Sequence, residues 1–271
     1  MSDANKPIDP KDLHRSQKRG LGIGKDYEPF IKVDELSSRG ESIRVCSSCV
    51  GRVHHLLSGI ELAAFLVFDW HAGTIDIREQ FPIPVTDTLD ICRQLGIRHP
   101  QIKGFLKVVT TDLLIDFKDK TQLAVAVKHS SDLGKERVVD KLQIEKAYWE
   151  ERGVLWRLFT EQEVSDGLRE NLNWLRPYLD IETASAFKLN ATEVDDLMMR
   201  LIRSPKLKVS RLCGKLDDTY QFEPGYHIGV LRYAIAQRLI RAPIDKPFHS
   251  WCCDELYMLT SLIARGAGHA S

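Results

Sequence analysis

The sequence has no surplus of charge of either sign. Its 271 residues include 38 lysines and arginines and 38 aspartates and glutamates, so the formal net charge is zero. A protein that holds nucleic acid by itself, without regard to sequence, is usually basic because phosphate contacts drive its affinity. The balance therefore argues against a free-standing binder of this kind. It favours local basic patches, or delivery to nucleic acid by a partner protein.

Three further features are missing. Six cysteines scattered over the chain do not make the disulfide framework of a small secreted protein. No charged and then apolar leader opens the sequence. No apolar run approaches the roughly 20 residues that a transmembrane helix requires. We therefore expect a bacterial cytoplasmic protein in a reducing compartment, without a membrane partner.

One cysteine pair invites a metal site. Cys46 and Cys49 are followed by His54 and His55. A structural zinc ion needs four ligands in workable geometry, and no second pair stands at the usual spacing. Two short strands around a plain turn are the better interpretation of this segment.

The segment from Gly104 to Lys128 predicts two strands joined by a turn. VVTTDLLIDF is β-branched and apolar, KDKTQ is polar, and LAVAV is a second apolar run. Asp112 lies inside the first strand, and Lys128 directly follows the second. A carboxylate removed from water needs a compensating partner. We therefore expect Asp112 to bind a metal ion or to pair with Lys128 at one edge of the sheet.

A second acid stands at the start of a predicted buried helix. Glu61 opens the apolar run ELAAFLVFDW, where a first-turn acid is also favoured by the helix dipole alone. The order of helix-borne Glu61, strand-borne Asp112 and strand-end Lys128 resembles the PD-(D/E)xK nucleases. In those enzymes two or three acids hold Mg²⁺ over a phosphodiester, and the lysine lies beside the attacking water. The resemblance makes metal binding the better interpretation of Glu61.

Five segments keep their order and spacing with one known family: GRVHHLLSGIELAAFL (51–66), DIREQFPI (76–83), GIRHPQIKG (96–104), TTDLLID (110–116) and KLQIEKAYW (141–149). In these segments the chain resembles the TnsA endonucleases of heteromeric transposases. The resemblance runs from about Gly24 to about Leu175 and is weak beyond that point.

The resemblance implies a restriction-endonuclease-like α/β domain, a mixed sheet flanked by helices. It also implies that Glu61 and Asp112 hold Mg²⁺, which Mn²⁺ can replace, with the Val127 carbonyl as a further ligand. Lys128 would serve the attacking water. In the family an acid or glutamine stands two residues before the lysine, whereas here that position is Ala126. A second metal ion would therefore lack that side chain.

By the same resemblance, the protein is expected to be the Mg²⁺-dependent DNA endonuclease subunit of a cut-and-paste transposase. It would cut at the 5′ transposon ends while a DDE-type recombinase cuts and joins the 3′ ends, under an AAA+ ATPase regulator. The alternative is an architectural subunit with a decayed nuclease site that bridges recombinase, ATPase and DNA. Ala126 favours this alternative, and the intact Glu61, Asp112 and Lys128 oppose it. A stand-alone nuclease would need its own sequence-reading domain and a more basic surface.

Two further side chains are candidates for supporting the metal site. Glu145 lies on the apolar stripe of a helix predicted over 130–153, where it can act on the site or form an i,i+4 ion pair with Lys141. Gln80 lies within a strand predicted over 76–85. It can orient water near the active edge, or belong to a charged outer face of an edge strand.

We expect a catalytic domain over 1–164, beginning with a flexible basic arm over 1–25. The remainder, 165–271, predicts mainly helices and a small hairpin over 239–248. The helices are predicted at about 166–179, 191–203, 226–239 and 254–264. That succession indicates a winged-helix-like domain for DNA and partner binding. Its candidate DNA-binding cations are Arg232, Arg238, Arg241 and Lys246, for which a solvated basic face is the alternative.

Overall fold

The computed structural model describes residues 6–35, 43–47, 49–179 and 191–259. The chain divides into two compact units, Met1–Val164 and Ser165–Ser271. Within the described ranges, no helix combines the length and the apolar character needed to cross a lipid bilayer.

A four-stranded mixed sheet organises the first unit. In chain order the elements of this unit are α1 (Pro10–Ser16), β1 (Ile43–Cys46), β2 (Val53–Leu56), α2 (Gly59–Trp70), β3 (Thr74–Ile83), α3 (Val85–Leu95), β4 (Gln101–Ile102), β5 (Phe105–Leu106), β6 (Val109–Phe117), β7 (Gln122–Val127), α4 (Glu136–Glu151) and β8 (Leu155–Phe159). The sheet order is β3-β6-β7-β8. Its first two pairings are antiparallel, and β8 lies parallel to β7. The predicted mixed sheet is confirmed.

The central hairpin forms where the sequence predicts it. β6 and β7 pair with Leu113 opposite Val125. On its other side β6 pairs with β3, which sets Glu79 opposite Leu113. The antiparallel hairpin 43–56, formed by β1 and β2, is confirmed as well. Asp112 therefore lies on an inner strand of the sheet, next to the strand that carries residues 79–81.

Helices pack on the sheet and close the core. α2 contacts β3, β6 and β7, while α3 and α4 contact each other and α4 also contacts β6 and β8. One apolar cluster joins α3 and α4 to the sheet: Ile83, Ile91, Cys92, Val109, Leu114, Ala124, Ile144, Tyr148 and Trp149. Burial of apolar surface stabilises such a cluster by about 25 cal/mol per Å². The strands β3, β6 and β7 and the helix α4 are thus held by a common core.

The helix predicted over 130–153 is shorter than expected. Ser130–Asp132 form a 3₁₀ turn, and α4 begins only at Glu136. Gly134 lies in the break, where its large backbone entropy opposes helix formation. At the other end Gly153 adopts a φ of 69°, which confirms it as the predicted helix stop.

The prediction of a flexible arm over 1–25 is wrong for residues 6–25, the part that the structure describes. α1 is capped by an aspartate and docks through Asp12, whose carboxylate is buried and accepts the N–H of Val108 at 3.1 Å. Further along, a Cβ on Gly20 would lie 2.1 Å from Pro82. The segment therefore packs on the body of the unit, which supplies the Val108 N–H and the Lys107 ammonium to its buried acid.

The second unit is mainly helical. Its elements are α5 (Asp166–Leu175), α6 (Ala191–Ile202), α7 (Val209–Tyr220), α8 (Tyr226–Ala236), β9 (Ile240–Arg241) and β10 (Tyr257–Met258). The helices predicted near 166, 191 and 226 are confirmed, and α7 is a helix that the sequence interpretation did not include.

The hairpin predicted over 239–248 is wrong. β9 pairs instead with β10, with Tyr257 opposite Arg241. Pro243 follows β9 and has no N–H to donate to a ladder, so the strand stops after two residues. The helix predicted over 254–264 is also wrong as far as residue 259, because Cys253–Glu255 form a 3₁₀ turn before β10. Residues 260–264 lie outside the described ranges, and the winged-helix-like assignment is not confirmed.

The docking of α1 leads to a stability prediction. Asp12→Ala should lower the free energy of unfolding by about 1–3 kcal/mol, because it leaves the buried N–H of Val108 without an acceptor. Urea denaturation at constant m-value measures this change. Asp34→Ala, which removes an exposed carboxylate, is the matched control. Equal stability of wild type and Asp12→Ala would contradict the docked position of α1.

Candidate active site

The end of the central hairpin brings Asp112 and Lys128 together. Lys128 Nζ donates to Asp112 Oδ2 at 2.9 Å and to the Val127 carbonyl at 2.6 Å. The Val127 N–H donates to the same Oδ2 at 2.7 Å. Asp112 is only 7% exposed, so the ammonium and this amide take the place of water around one carboxylate oxygen. The two residues therefore meet at the end of the hairpin formed by the inner strands β6 and β7.

Glu61 reaches the site from the first turn of α2. Its Oε2 accepts the N–H of Leu57 at 2.9 Å, and its N–H donates to Ser58 Oγ at 3.2 Å, so Ser58 caps the helix. Burial, together with the negative charge of Asp112, raises the pKa of Glu61 to about 7. A glutamate that only capped the helix would be better placed in solvent. Its burial beside Asp112 indicates a further role.

Gln80 lies between the two carboxylates. Its Nε2 is 3.4 Å from Glu61 Oε2 and 3.5 Å from Asp112 Oδ1, and its Oε1 accepts the Thr110 hydroxyl at 3.2 Å. Its φ of 49° lies in the left-handed region, which is unusual inside a strand. Gln80 is 2% exposed, so the interpretation of residues 78–80 as a charged outer face is wrong. The structure places the Gln80 amide beside Glu61 and Asp112, and its action on a water there stays a prediction.

A buried ion pair fixes the strand beside Gln80. The Arg52 guanidinium donates to both carboxylate oxygens of Glu79, at 2.9 and 2.6 Å, and to the Ile77 carbonyl at 2.7 Å. Glu79 is fully buried and also accepts the N–H of His55 at 3.0 Å. This pair ties the β1–β2 hairpin to β3. No local pattern in the sequence indicates this ion pair, because its two residues are 27 positions apart.

Glu145 faces the site from α4. It is 2% exposed, and its Oε1 has no hydrogen-bond partner in the structure. Burial and the charge of Asp112 raise the pKa of Glu145 to about 7, against the opposing effects of Lys141, Lys128 and a hydrogen bond from Thr111. Among the described residues, Lys141 acts on Glu145 through its charge without forming an ion pair. The i,i+4 ion pair therefore does not account for this acid.

The site holds more negative than positive charge. Burial lowers the pKa of Lys128, but the charge and hydrogen bond of Asp112, followed by the charges of Glu145 and Glu61, outweigh burial and raise it. Lys128 is therefore an ammonium at neutral pH. It is the cation that faces three acids, bonding to Asp112 and interacting with Glu61 and Glu145 through charge. Protons on Glu61 and Glu145, or a second cation, would relieve the remaining repulsion.

The available donors suit a hard divalent cation. They are carboxylate oxygens, including the unpartnered Oε1 of Glu145, and the main-chain carbonyl of Val127. Mg²⁺ prefers such oxygen ligands and commonly takes only one or two carboxylates. Within the described part of the chain, no three His, Cys, Asp or Glu side chains form a ready-made metal cluster. The donor set therefore fits an ion that is also coordinated by water or by a phosphate.

The four cations predicted to bind DNA have different environments in the second unit: Arg232, Arg238, Arg241 and Lys246. The Arg232 guanidinium lies 4.9 Å from the ring centre of Trp174 and 4.5 Å from that of Tyr178, and burial lowers its pKa. Lys246 is exposed and pairs with Glu255 at 2.5 Å. Arg238 and Arg241 are exposed. DNA binding by these residues stays a prediction.

The raised pKa values predict how stability depends on pH. Between pH 5 and pH 7 the folded state binds more protons at Glu61 and Glu145 than the unfolded state does, so their contribution to stability falls as pH rises. Glu145→Gln should therefore be more stable than wild type at pH 8, by roughly 1–3 kcal/mol, and should lose this advantage at pH 5. Urea denaturation at both pH values measures the difference. Glu150→Gln, an exposed change on the same helix, is the control, and a Glu145→Gln effect that does not depend on pH would contradict the assignment.

Comparison with known proteins agrees with the resemblance carried by the sequence. The family model described as "TnsA-like endonuclease N terminal" matches residues 71–161, and "TnsA endonuclease C terminal" matches residues 163–244. The first match includes Asp112 and Lys128 and begins after Glu61. Over 260 residues, the chain is 36% identical to "Transposon Tn7 transposition protein TnsA" of Escherichia coli, across 94% of each chain. The chain belongs to the TnsA family of transposase endonuclease subunits.

Proposed function

We propose that this protein is the Mg²⁺-dependent endonuclease of a cut-and-paste transposase and hydrolyses a phosphodiester at each 5′ transposon end. The observation that carries the proposal is the contact of Lys128 with Asp112, at 2.9 Å, beside a buried Glu61 whose pKa is raised to about 7. Strongly shifted acids next to a cation are typical of catalytic sites. Membership of the TnsA family supports the nuclease class and DNA as the substrate.

Each residue of the site has a role in this proposal. Glu61, Asp112 and the Val127 carbonyl would hold Mg²⁺ or Mn²⁺, which would polarise the phosphate and lower the pKa of a bound water. The Lys128 ammonium stabilises negative charge as it develops on the phosphate oxygens. Gln80 and Glu145 position these groups. The amide of Gln80 spaces Glu61 from Asp112, and the charge of Glu145 helps to keep Lys128 protonated.

The proposed partners are transposon-end DNA, a DDE-type recombinase that processes the 3′ ends, and an AAA+ ATPase regulator. The formal net charge of zero supports delivery to DNA by such partners, since the chain as a whole has no electrostatic surplus. In this proposal residues 1–164 carry the chemistry, and residues 165–271 bind DNA and the other proteins.

A second function is favoured by two observations. Lys128 already bonds to Asp112 Oδ2 and to the Val127 carbonyl, two of the proposed metal ligands. Ala126, which is buried, offers no side-chain donor at the position where the family has an acid or glutamine. An architectural subunit with a decayed site would account for both. Against it, the buried Glu61 and Glu145 destabilise the fold at neutral pH, a cost that a scaffold has no reason to keep.

Asp112→Asn tests the nuclease proposal. Because the amide cannot supply the negative charge that the metal ion and Lys128 require, cleavage at the 5′ ends should fall by at least about 100-fold. Joining of the 3′ ends should persist, so the product changes from excised to branched DNA. The measurement is strand-specific analysis of donor DNA in the complete transposition reaction.

Asp116→Asn is the matched control for this test. Asp116 lies on the same strand but is bonded to the Arg78 guanidinium at 2.7 Å and to Gln122, away from Lys128. Its variant should retain 5′ cleavage. Thermal unfolding should first verify that Asp112→Asn is folded. If this variant then cleaves the 5′ ends like wild type, the catalytic assignment is wrong and the architectural function is left.

A further inference from the structure

The two edges of the mixed sheet have different surroundings. On the β3 edge, residues 20–30 lie against the strand, with the Phe30 N–H donating to the Gln80 carbonyl at 3.3 Å and the Gly24 N–H to Asp76 at 2.7 Å. The other edge is β8, which pairs with β7 and with no further strand of the described chain. An unpaired edge strand is a ready template for another strand, so proteins commonly cover it or charge it.

Four main-chain groups of β8 point away from the sheet. The Lys128 N–H donates to the Phe159 carbonyl at 3.0 Å, so the main-chain groups of Phe159 face β7. Because these groups alternate in direction along a strand, the N–H and C=O of Trp156 and Leu158 face outward. Among the described residues, one contact reaches them: the Arg157 guanidinium donates to the Trp156 carbonyl at 3.4 Å. The edge can therefore accept a further strand without losing a bond of the sheet.

A groove lies beside this open edge. Its volume is about 430 Å³, and it is lined by Lys146 and Glu150 of α4 and by residues 153–158. Lys146 and Glu150 lie 3.7 Å apart as an i,i+4 pair, so their charges compensate each other. The side chains of a strand alternate between its two faces. A strand added to β8 would therefore place every second side chain toward this groove and the others on the opposite face.

The face of β8 away from α4 presents an apolar residue and an unpaired cation. Trp156 packs against the apolar cluster of α3 and α4, so Leu155 and Arg157 project to the other side. Leu155 is 53% exposed. Arg157 is exposed and forms no ion pair within the described residues. A strand that pairs with β8 therefore meets an apolar neighbour and, two residues on, a guanidinium that a carboxylate can neutralise.

A second copy of this chain is a poor partner for the edge. In an antiparallel pair of two β8 strands, all four outward groups are bonded only if Trp156 of each copy faces Leu158 of the other. That register sets the two Arg157 side chains directly opposite each other, where like charges destabilise a strand pair. The charge of the edge is thus complementary to an acidic segment and not to itself.

We propose that β8 binds an extended, acidic segment of the recombinase, which adds a fifth strand to the sheet. In this mode of docking the main-chain bonds give affinity, and the pockets for alternate side chains give specificity. The segment carries an acid opposite Arg157 and apolar side chains toward the groove. The assignment rests on the proposed partnership with a recombinase, and it adds a protein contact of the first unit to those proposed for residues 165–271.

The place of β8 in the sheet favours the recombinase over the ATPase. The Phe159 carbonyl holds the main chain at Lys128, so a strand bonded to β8 lies one strand away from the proposed catalytic centre. Under the proposed function the recombinase cuts the same transposon end as this centre does. A recombinase segment on β8 would keep the two active sites on one DNA end.

Amide hydrogen exchange, resolved to single residues, tests the docking. The full chain is measured alone, with the recombinase, with the ATPase and with transposon-end DNA. The recombinase should slow exchange at the Trp156 and Leu158 amides at least about tenfold, because two solvent-facing N–H groups become bonded. Protection in the isolated chain, protection that rises with its concentration, or protection given by the ATPase or by DNA instead would assign the edge to another occupant and overturn the proposal.

Arg157→Glu tests the charge of the edge. Affinity for the recombinase, measured by titration without DNA, should fall at least about tenfold, since like charges brought together suppress binding. Lys118→Glu, which makes the same change of charge at an exposed lysine just after β6, is the matched control and should bind like wild type. Thermal unfolding verifies that both variants are folded. Unchanged affinity for Arg157→Glu, or equal weakening by both variants, would overturn the proposal.

Two results separate the docking from the nuclease proposal. Asp112→Asn should bind the recombinase and protect the β8 amides like wild type, although it no longer cuts the 5′ ends. Binding of the recombinase with Trp156 and Leu158 amides that exchange as in the isolated chain would overturn the docking and leave the proposed function. If the wild type does not bind the recombinase, the docking is wrong, and 5′ cleavage in the complete reaction decides the proposed function.

Discussion

Three buried acids lie near one lysine ammonium at the end of the central hairpin, which bonds to Asp112 and acts on Glu61 and Glu145 through its charge. Asp112 comes from an inner strand, Glu61 from the capped start of α2, and Glu145 from the middle of α4. Like charges at short range repel, and burial strengthens the repulsion. The apolar cluster formed by α3, α4 and the sheet fixes the strand of Asp112 and the helix of Glu145, and the contacts of α2 with β3, β6 and β7 fix the helix of Glu61.

Contacts on both sides also fix the edge strand β3 around Gln80. β3 carries Gln80 with a left-handed backbone, which persists only where its surroundings fix it. The Arg52–Glu79 ion pair clamps one side of this position. On the other, the Phe30 N–H donates to the Gln80 carbonyl at 3.3 Å and the Tyr27 hydroxyl to the Glu79 carbonyl at 3.0 Å. The N-terminal segment thus covers the edge strand and holds its backbone at Glu79 and Gln80.

Local patterns in the sequence predict those parts of the site that depend on residues close together in the chain. The central hairpin, the buried helix at Glu61 and the acid on the α4 stripe follow from apolar periodicity, and an acid in an apolar strand marks Asp112. Long-range contacts carry no such signal, so the Arg52–Glu79 pair and the docking of α1 were not foreseen. α7 has apolar residues at helical spacing, but Gly214 in its middle lowers its helix propensity. β9 pairs with β10 rather than with an adjacent strand, and no local pattern indicates a partner so far along the chain.

The most direct test of the central claim needs only this protein. A crystal soaked in Mn²⁺ should show an anomalous peak between the carboxylates of Glu61 and Asp112, within about 2.5 Å of the Val127 carbonyl oxygen, and Lys128 Nζ should leave that oxygen. The peak should be missing from Asp112→Asn crystals under the same soak. An ordered Mn²⁺ ion elsewhere in the unit, with Lys128 still bonded to Asp112 and to the Val127 carbonyl, would contradict a metal-dependent nuclease centre at this hairpin.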